Sequence, residues 1–241
     1  MSDEYTQWLE MKREAALRKQ ERFMDGIAGR LGRPRQTAAP VQPFRGAPEF
    51  WETFRWEPDE RAERFLANFR SVGGHAERLP SWEAARAFIA GKAEEMGAAI
   101  VLRQNQPELD ALELEAALPG ASVAVWNSDP ATDWKARAAE ADFGVVAADY
   151  AAAYTGSVTV LSSPDKGRSV SLLPTVLFVL IPMERLKTTL GEITCEFDRM
   201  GREQLPAGIH FISGPSRSAD IENDLTIGVH GPGVVYALLI G

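Results

Sequence analysis

Apolar positions along the chain fall into helical spacing at the start and shorter, denser runs later. Trp8, Met11, Ala15, Ala16, Phe23, Ile27 and Leu31 form a stripe among charged residues, which predicts an amphipathic helix over residues 4–31, stopped by Gly32. Pro34, Pro40, Pro43 and Pro48 follow closely, so residues 32–48 are expected to be an extended connection. The expected organisation is an N-terminal helix and Pro-rich linker at 1–48 and an α/β domain at 49–241. A helix set apart in this way needs a surface to cover, either its own domain or a partner or dimer contact.

The domain opens with Pro58 at a first helical turn, then Phe65, Leu66 and Phe69, with Gly73-Gly74 as the stop. Ser81 is the expected N-cap of a helix over 82–96, which Gly97 ends. Short apolar strands are predicted at 98–102, 122–126 and 143–147, separated by helices at 107–118 and 130–141. Strands and helices that alternate through such short links predict parallel βαβ units and a three-layer α/β/α sandwich. Beyond Tyr154 the pattern turns towards strands, at 157–161, 170–173, 176–181, 209–213, 225–229 and 234–240. One helix, at 183–200, interrupts them.

Composition narrows the class. Among 241 residues, 45% are hydrophobic and 25% charged, as in an ordinary globular protein with a substantial core. The net charge of −8 divides into +2 through Arg35 and −10 beyond it, which opposes nucleic-acid binding. The one cysteine, Cys195, excludes an intramolecular disulfide and leaves no spacing for zinc or an iron-sulfur cluster, so neither a metal nor another cofactor is expected. Met1 leads into Asp3 and Glu4 without the pattern of a secretory signal, and no apolar run approaches membrane-spanning length. A cytoplasmic location without a membrane span is the expectation. Gly-x-Gly-x-x-Gly, P-loop, Gly-x-Ser-x-Gly and His-Glu-x-x-His motifs are all missing, which removes the usual support for nucleotide, serine-hydrolase and zinc-protease readings.

Four polar stretches carry candidate ligand chemistry, and no catalytic residue can be assigned. In Tyr154-Thr155-Gly156-Ser157, Gly156 permits a positive φ or a close approach, and Thr155 and Ser157 offer hydroxyls to an anion; a plain β-turn explains the same residues. Arg168 could face an acidic ligand beside Ser171, or simply be solvated next to a half-exposed strand. Gly214-Pro215-Ser216-Arg217-Ser218-Ala219-Asp220-Ile221-Glu222 reads as a strand end followed by a capped helix. Asp220 falls in its first turn, and Ser216 and Arg217 would make an anion site outside the carboxyl end of a parallel strand. His230 stands in a turn, as a base, a ligand or a structural residue.

Taken together, Gly214–Glu222, then Gly228-Val229-His230-Gly231-Pro232, Thr155-Gly156-Ser157 and Ser169-Val170-Ser171-Leu172-Leu173-Pro174 resemble the lactate-utilisation protein C family, a LUD-domain family. The resemblance is strongest over residues 143–241. It implies a fold like the NagB/RpiA/CoA-transferase group and a place in a three-protein system that oxidises L-lactate to pyruvate, with the iron-sulfur work done by two partner proteins. The residues themselves motivate a small anionic ligand, and a homo-oligomer stays open. An assembly or regulatory role in that complex, and an independent acyl- or phosphosugar-handling enzyme on the same fold, stay open as alternatives. Family members carry a glutamate before the Thr-Gly pair where this chain has Tyr154, so a CoA-transferase-like step through that carboxylate has no counterpart here.

Overall fold

A computed structural model describes residues 3–38, 54–219 and 225–241. It forms two compact units, Met1–Pro48 and Glu49–Gly241. In the first, α1 (Asp3–Arg30) is followed by irregular chain as far as residue 38, and the rest of the expected Pro-rich connection lies outside the described residues. Tyr5, Trp8, Leu9, Phe23, Met24 and Ile27 are exposed and share roughly half the helix circumference. Lys12, Arg13, Lys19 and Arg30 are the only charges within that arc, whereas Glu10, Glu14, Glu21 and Asp25 fall opposite.

In the second unit, α2 (Pro58–Ser71), β1 (His75–Leu79), α3 (Trp82–Met96), β2 (Ile100–Arg103), α4 (Pro107–Asp110), α5 (Leu114–Ala117), β3 (Ser122–Val125), α6 (Trp134–Glu140) and β4 (Phe143–Ala147) follow in order. Then come β5 (Tyr150–Ala152), β6 (Ser157–Leu161), α7 (Arg168–Leu172) and β7 (Val176–Pro182). A 3₁₀ turn (Met183–Arg185), β8 (Leu186–Lys187), α8 (Leu190–Met200), β9 (Ile209–Ile212), β10 (Arg217–Ala219), β11 (Leu225–Ile227) and β12 (Val234–Ile240) complete it. The central sheet has the order β1-β12-β7-β4-β2-β3, and every pair in it is parallel. A second sheet, β8-β5-β6-β9, is mixed, and β10 and β11 form a small hairpin.

Burial on both faces explains why β7 is apolar throughout rather than alternating. Phe178, Leu180, Tyr236 and Leu238 point to one face, where Ala85 and Ile89 of α3, Leu109 of α4 and Leu114 of α5 cover them. Leu177, Val179, Ala237 and Leu239 point to the other, against Phe65 and Phe69 of α2, Ala138 of α6, Val170 of α7 and the second sheet. Ile193 and Phe197 of α8 close the far side of that sheet. Phe143, Phe178, Tyr236 and His75 make an aromatic row across four neighbouring strands, with ring centroids 4.8–5.0 Å apart.

Local capping fixes several boundaries. Ser81 Oγ accepts from Ala84 N–H at 3.3 Å, and Gly97 ends α3 with φ +64°. Elsewhere the structure corrects the sequence reading. The helix expected over 107–118 is two single turns separated at Glu113, whose φ is +45°. The helix expected from 130 begins at Trp134, because the Asp133 carboxylate caps it through Lys135 and Ala136 N–H. The helix expected from 183 starts only at Leu190, after β8; Glu192 Oε1 accepts from the N–H groups of Thr188 and Thr189 at its start. The strand expected over 170–173 is α7, since β7 already has β4 and β12 as neighbours and leaves no edge for it.

Candidate functional site

Most of the polar signature gathers around the carboxyl end of α2. Asn68 Nδ2 donates to the carbonyls of Ala153 and Tyr154 at 2.9 and 3.0 Å, anchoring the turn that carries Thr155 and Gly156. Gly156 has φ +56° and lies so close to α2 that a Cβ would sit 2.6 Å from Phe69 N and 2.7 Å from the Asn68 carbonyl carbon. Its glycine is therefore explained by a helix packed on a turn. Ser157, 4% exposed, shares a 2.6 Å hydroxyl contact with Ser213 across the β6–β9 ladder. Thr155 Oγ1 is buried and meets no hydrogen-bond partner among the described residues.

The segment after β9 approaches the same helix end from the other side. Gly214, with φ +83°, packs against Val72, and Arg217 Nη2 donates to Val72 O, one of the carbonyls released at the end of α2. A guanidinium there also opposes the negative end of the helix dipole. Ser216 N–H donates to Pro232 O at 2.9 Å and Ser216 O accepts from Gly228 N–H at 3.0 Å, while its hydroxyl accepts from His230 N–H at 3.3 Å. The 228–232 turn is thereby held beside Ser216, with His230 exposed.

Two expectations fail here. Residues 217–219 form a strand paired with Leu225–Ile227, so no helix begins at Ser216 or Ser218 and no helix N-terminus is available to an anion. Local capping chemistry suggested a helix, and the cross-strand ladder prevails. The segment also follows an antiparallel strand and sits near the amino ends of β7 and β12, where Gly233 N–H donates to Thr175 O, rather than outside the carboxyl end of a parallel strand. Asp220 lies outside the described residues.

Arg168 and Ser171 serve elsewhere. Ser171, 2% exposed, donates its hydroxyl to Arg168 O at 3.1 Å within α7. Arg168 is packed beside Gly208 and His210, at the Leu161–Ile209 end of the β6–β9 ladder, four residues and about 13 Å from Ser157. Burial, and then the charge of Arg168, push the His210 imidazole below its ordinary value. The unfolded chain then binds a proton near pH 6.5 that the folded chain refuses, so this residue's contribution raises stability as pH rises towards 6.5 and levels off above it. Denaturation midpoints from pH 5 to 7 should show a shallower slope for His210→Asn than for the parent; equal slopes would contradict the assignment.

Tyr154 is 46% exposed, with its ring 5.5 Å from Phe54 and 6.1 Å from Trp56; Arg64 lies over Trp56 at 4.4 Å. The position before Thr155 thus belongs to an aromatic cluster. A cavity of about 520 Å³ between the end of α3 and the 117–121 turn holds only one ionisable side chain, Glu94, and none of the signature residues. Among the described residues no group of three or more His, Cys, Asp or Glu side chains could hold a metal, and no helix is long and apolar enough to cross a membrane.

At the opposite, carboxyl end of the central strands is a polar group that the sequence reading missed. Lys166 pairs with Asp149, whose other oxygen accepts from Leu161 N–H at 2.7 Å, and Arg185 pairs with Glu108 while donating to Ala148 O at 2.8 Å. Burial opposes the Glu108 charge, but the hydrogen bond and charge of Arg185 prevail and hold its carboxyl below the ordinary range. These residues are far apart in sequence and match no motif; only the strand order brings them together.

A parallel sheet covered by helices on both faces, with a hydroxyl-rich turn cluster at one end and paired charges at the other, defines a layered α/β protein. Residues 62–240 match the family model described as LUD domain, and the chain belongs to that family. It is 34% identical to lactate utilization protein C of Halalkalibacterium halodurans over 219 residues, covering 90% of this chain and 95% of that one. Over 218 residues it is 32% identical to the protein of that name from Shouchella clausii, with the same coverage. The Bacillus subtilis protein of that name is 28% identical over 232 residues, 91% of this chain and 95% of the relative. A crystal structure of a duf162 family protein from Deinococcus radiodurans superposes with a TM-score of 0.58 at 19% identity, over 77% of this chain and 99% of the other, and shares the fold.

Proposed function

We propose that this chain acts in the cytoplasm in lactate utilisation, as a subunit without a cluster of its own beside iron-sulfur partner proteins that oxidise L-lactate to pyruvate. The observation that carries the proposal is the 34% identity to a lactate utilization protein C over nearly the full length of both chains. A single cysteine cannot furnish the four thiolates of a cluster, which suits this division of labour. Deleting the gene should abolish growth on L-lactate as sole carbon source while growth on pyruvate continues. Undiminished growth and lactate consumption in a strain with no second lactate oxidase would sink the proposal.

The same proposal assigns a small carboxylate or phosphate to the cluster of Thr155, Ser157, Ser216 and Arg217. What supports it is the buried Thr155 hydroxyl, without a hydrogen-bond partner among the described residues, on a turn that packs on the same end of α2 as the segment carrying Ser216 and Arg217. At a hundredfold excess over its dissociation constant, such a ligand stabilises by about 2.7 kcal/mol. Arg217→Ala should lose most of that stabilisation and about 1 kcal/mol of unliganded stability, because Val72 O loses its donor. Thermal unfolding with phosphate and with acetate measures both quantities; an unchanged ligand shift in the variant would remove the site.

A further inference from the structure

Along β1-β12-β7-β4-β2-β3 the chain passes outward from β2 to β3, but from β4 it proceeds the other way, to β7 and then β12. Connections that leave two neighbouring parallel strands in opposite directions open a crevice at their carboxyl ends, here between β2 and β4. Gln104 and Gln106 follow β2 there, and Ala148 and Asp149 follow β4.

Gln104 is fully buried, and neither Oε1 nor Nε2 of its carboxamide has a hydrogen-bond partner among the described residues. Its N–H donates to Val145 O at 3.0 Å, which extends the β2 ladder by one residue. Strand alternation then turns its side chain to the face of Leu102, away from Arg103 and that residue's partners Asp110 and Glu115. A buried amide left without partners is costly and is seldom kept without a use. The segment 162–167 spans the crevice as a strap. Asp165 O accepts from Asn105 N–H at 3.0 Å, Pro164 O accepts from Trp126 Nε1 at 3.0 Å, and Lys166 pairs with Asp149. Lys166 and Arg185 thus meet consecutive residues of the β4 loop, Asp149 and Ala148.

We propose that this crevice binds a small 2-hydroxy acid, admitted when the strap lifts. A carboxamide presents a donor and an acceptor in one plane, so its complement must return an acceptor and a donor side by side. A carboxylate with an adjacent hydroxyl does so, and Lys166, which is carried on the strap and paired with Asp149 while the strap is down, is freed to meet an anion when the strap lifts. The corresponding 2-oxo acid carries acceptors only and leaves Gln104 Oε1 unpaired. The proposal names a substrate class for the function proposed above and rests on it for the choice of lactate as probe, but the site is distinct from the Arg217 cluster.

Titration of the full chain with L-lactate, pyruvate and phosphate, by calorimetry and thermal unfolding, tests the inference. L-lactate should bind on the order of tenfold more tightly than pyruvate. The excess of its thermal shift over that of pyruvate should vanish in Gln104→Met and persist in Arg217→Ala. If Gln104→Met does not fold, Gln104→Asn, which withdraws the amide by one methylene, should weaken L-lactate by a similar factor, and Lys166→Met should weaken both acids alike. Failure of the parent chain to bind L-lactate, equal affinity for pyruvate, or an undiminished shift in the Gln104 variants would overturn the site. Gln104→Met with a raised melting temperature and no lactate response in either protein would mark the amide as a structural residue, which also overturns it. None of these outcomes bears on growth of the deletion strain, so the two proposals can fail separately.

Discussion

Gly156→Ala is expected to destabilise the folded chain by about 3 kcal/mol and to lower its melting temperature by on the order of 10 °C. Two costs combine. At φ +56° a side chain is disfavoured, and the added methyl group meets main-chain atoms of Asn68 and Phe69, which cannot rotate away as a side chain could. Relief would require α2 to retreat, taking the fully buried Phe65 and Phe69 with it. Denaturant unfolding of parent and variant measures the loss, and a difference below about 1 kcal/mol would show that α2 yields easily. A ligand assay with this variant therefore reports folding before it reports binding.

Gly144→Ala should be of similar severity, about 3 kcal/mol, through α7, which packs on the same face of the central sheet as α2. A Cβ on this β4 residue would overlap Val170 O of α7 and lie 2.9 Å from Pro174 Cγ. The five-residue α7 is held there by packing, and Gly167 at its start rests on the Trp126 ring. Displacing α7 should loosen the strap that precedes it, so limited proteolysis should cut the variant near residues 163–167 sooner than the parent. Equal cutting rates together with parent-like stability would mean that α7 shifts without consequence.

Both glycines belong to parts of the chain whose sequence pattern was only half informative. The Ser81 cap and the Gly97 stop of α3 were legible because the capping chemistry lies within a few residues of the boundary. β1 went unforeseen: His-Ala-Glu-Arg-Leu is a mostly exposed edge strand with little apolar signal. Val170-Ser-Leu-Leu resembles a strand in isolation, and only the occupied flanks of β7 exclude it from the sheet. Ser216 to Glu222 has the composition of a capped helix start, yet Arg217 and Ile227, ten positions apart, pair instead. The candidate site shows the same division. Its hydroxyl residues stand out in sequence, whereas Asn68 and Val72, which assemble them, are ordinary helix residues. Gln104 carries no local signal at all, since its interest comes from strand order and from the partners it lacks.

The position of β12 reaches beyond the native state. Of the described strands this one is synthesised after all the others, yet it lies between β1 and β7 and is, among the described residues, the only sheet neighbour of β1. While the ribosome still holds residues 234–240, β1 and α2 can only wait, with the aromatic and aliphatic faces of the half-built sheet uncovered. Until β12 has emerged the nascent domain is therefore a collapsed but incomplete body, and closure joins β1 to the last of the described strands. Loss of residues 234–240 would leave the domain with an open central seam, a substrate for chaperones and proteases rather than a slightly shortened protein.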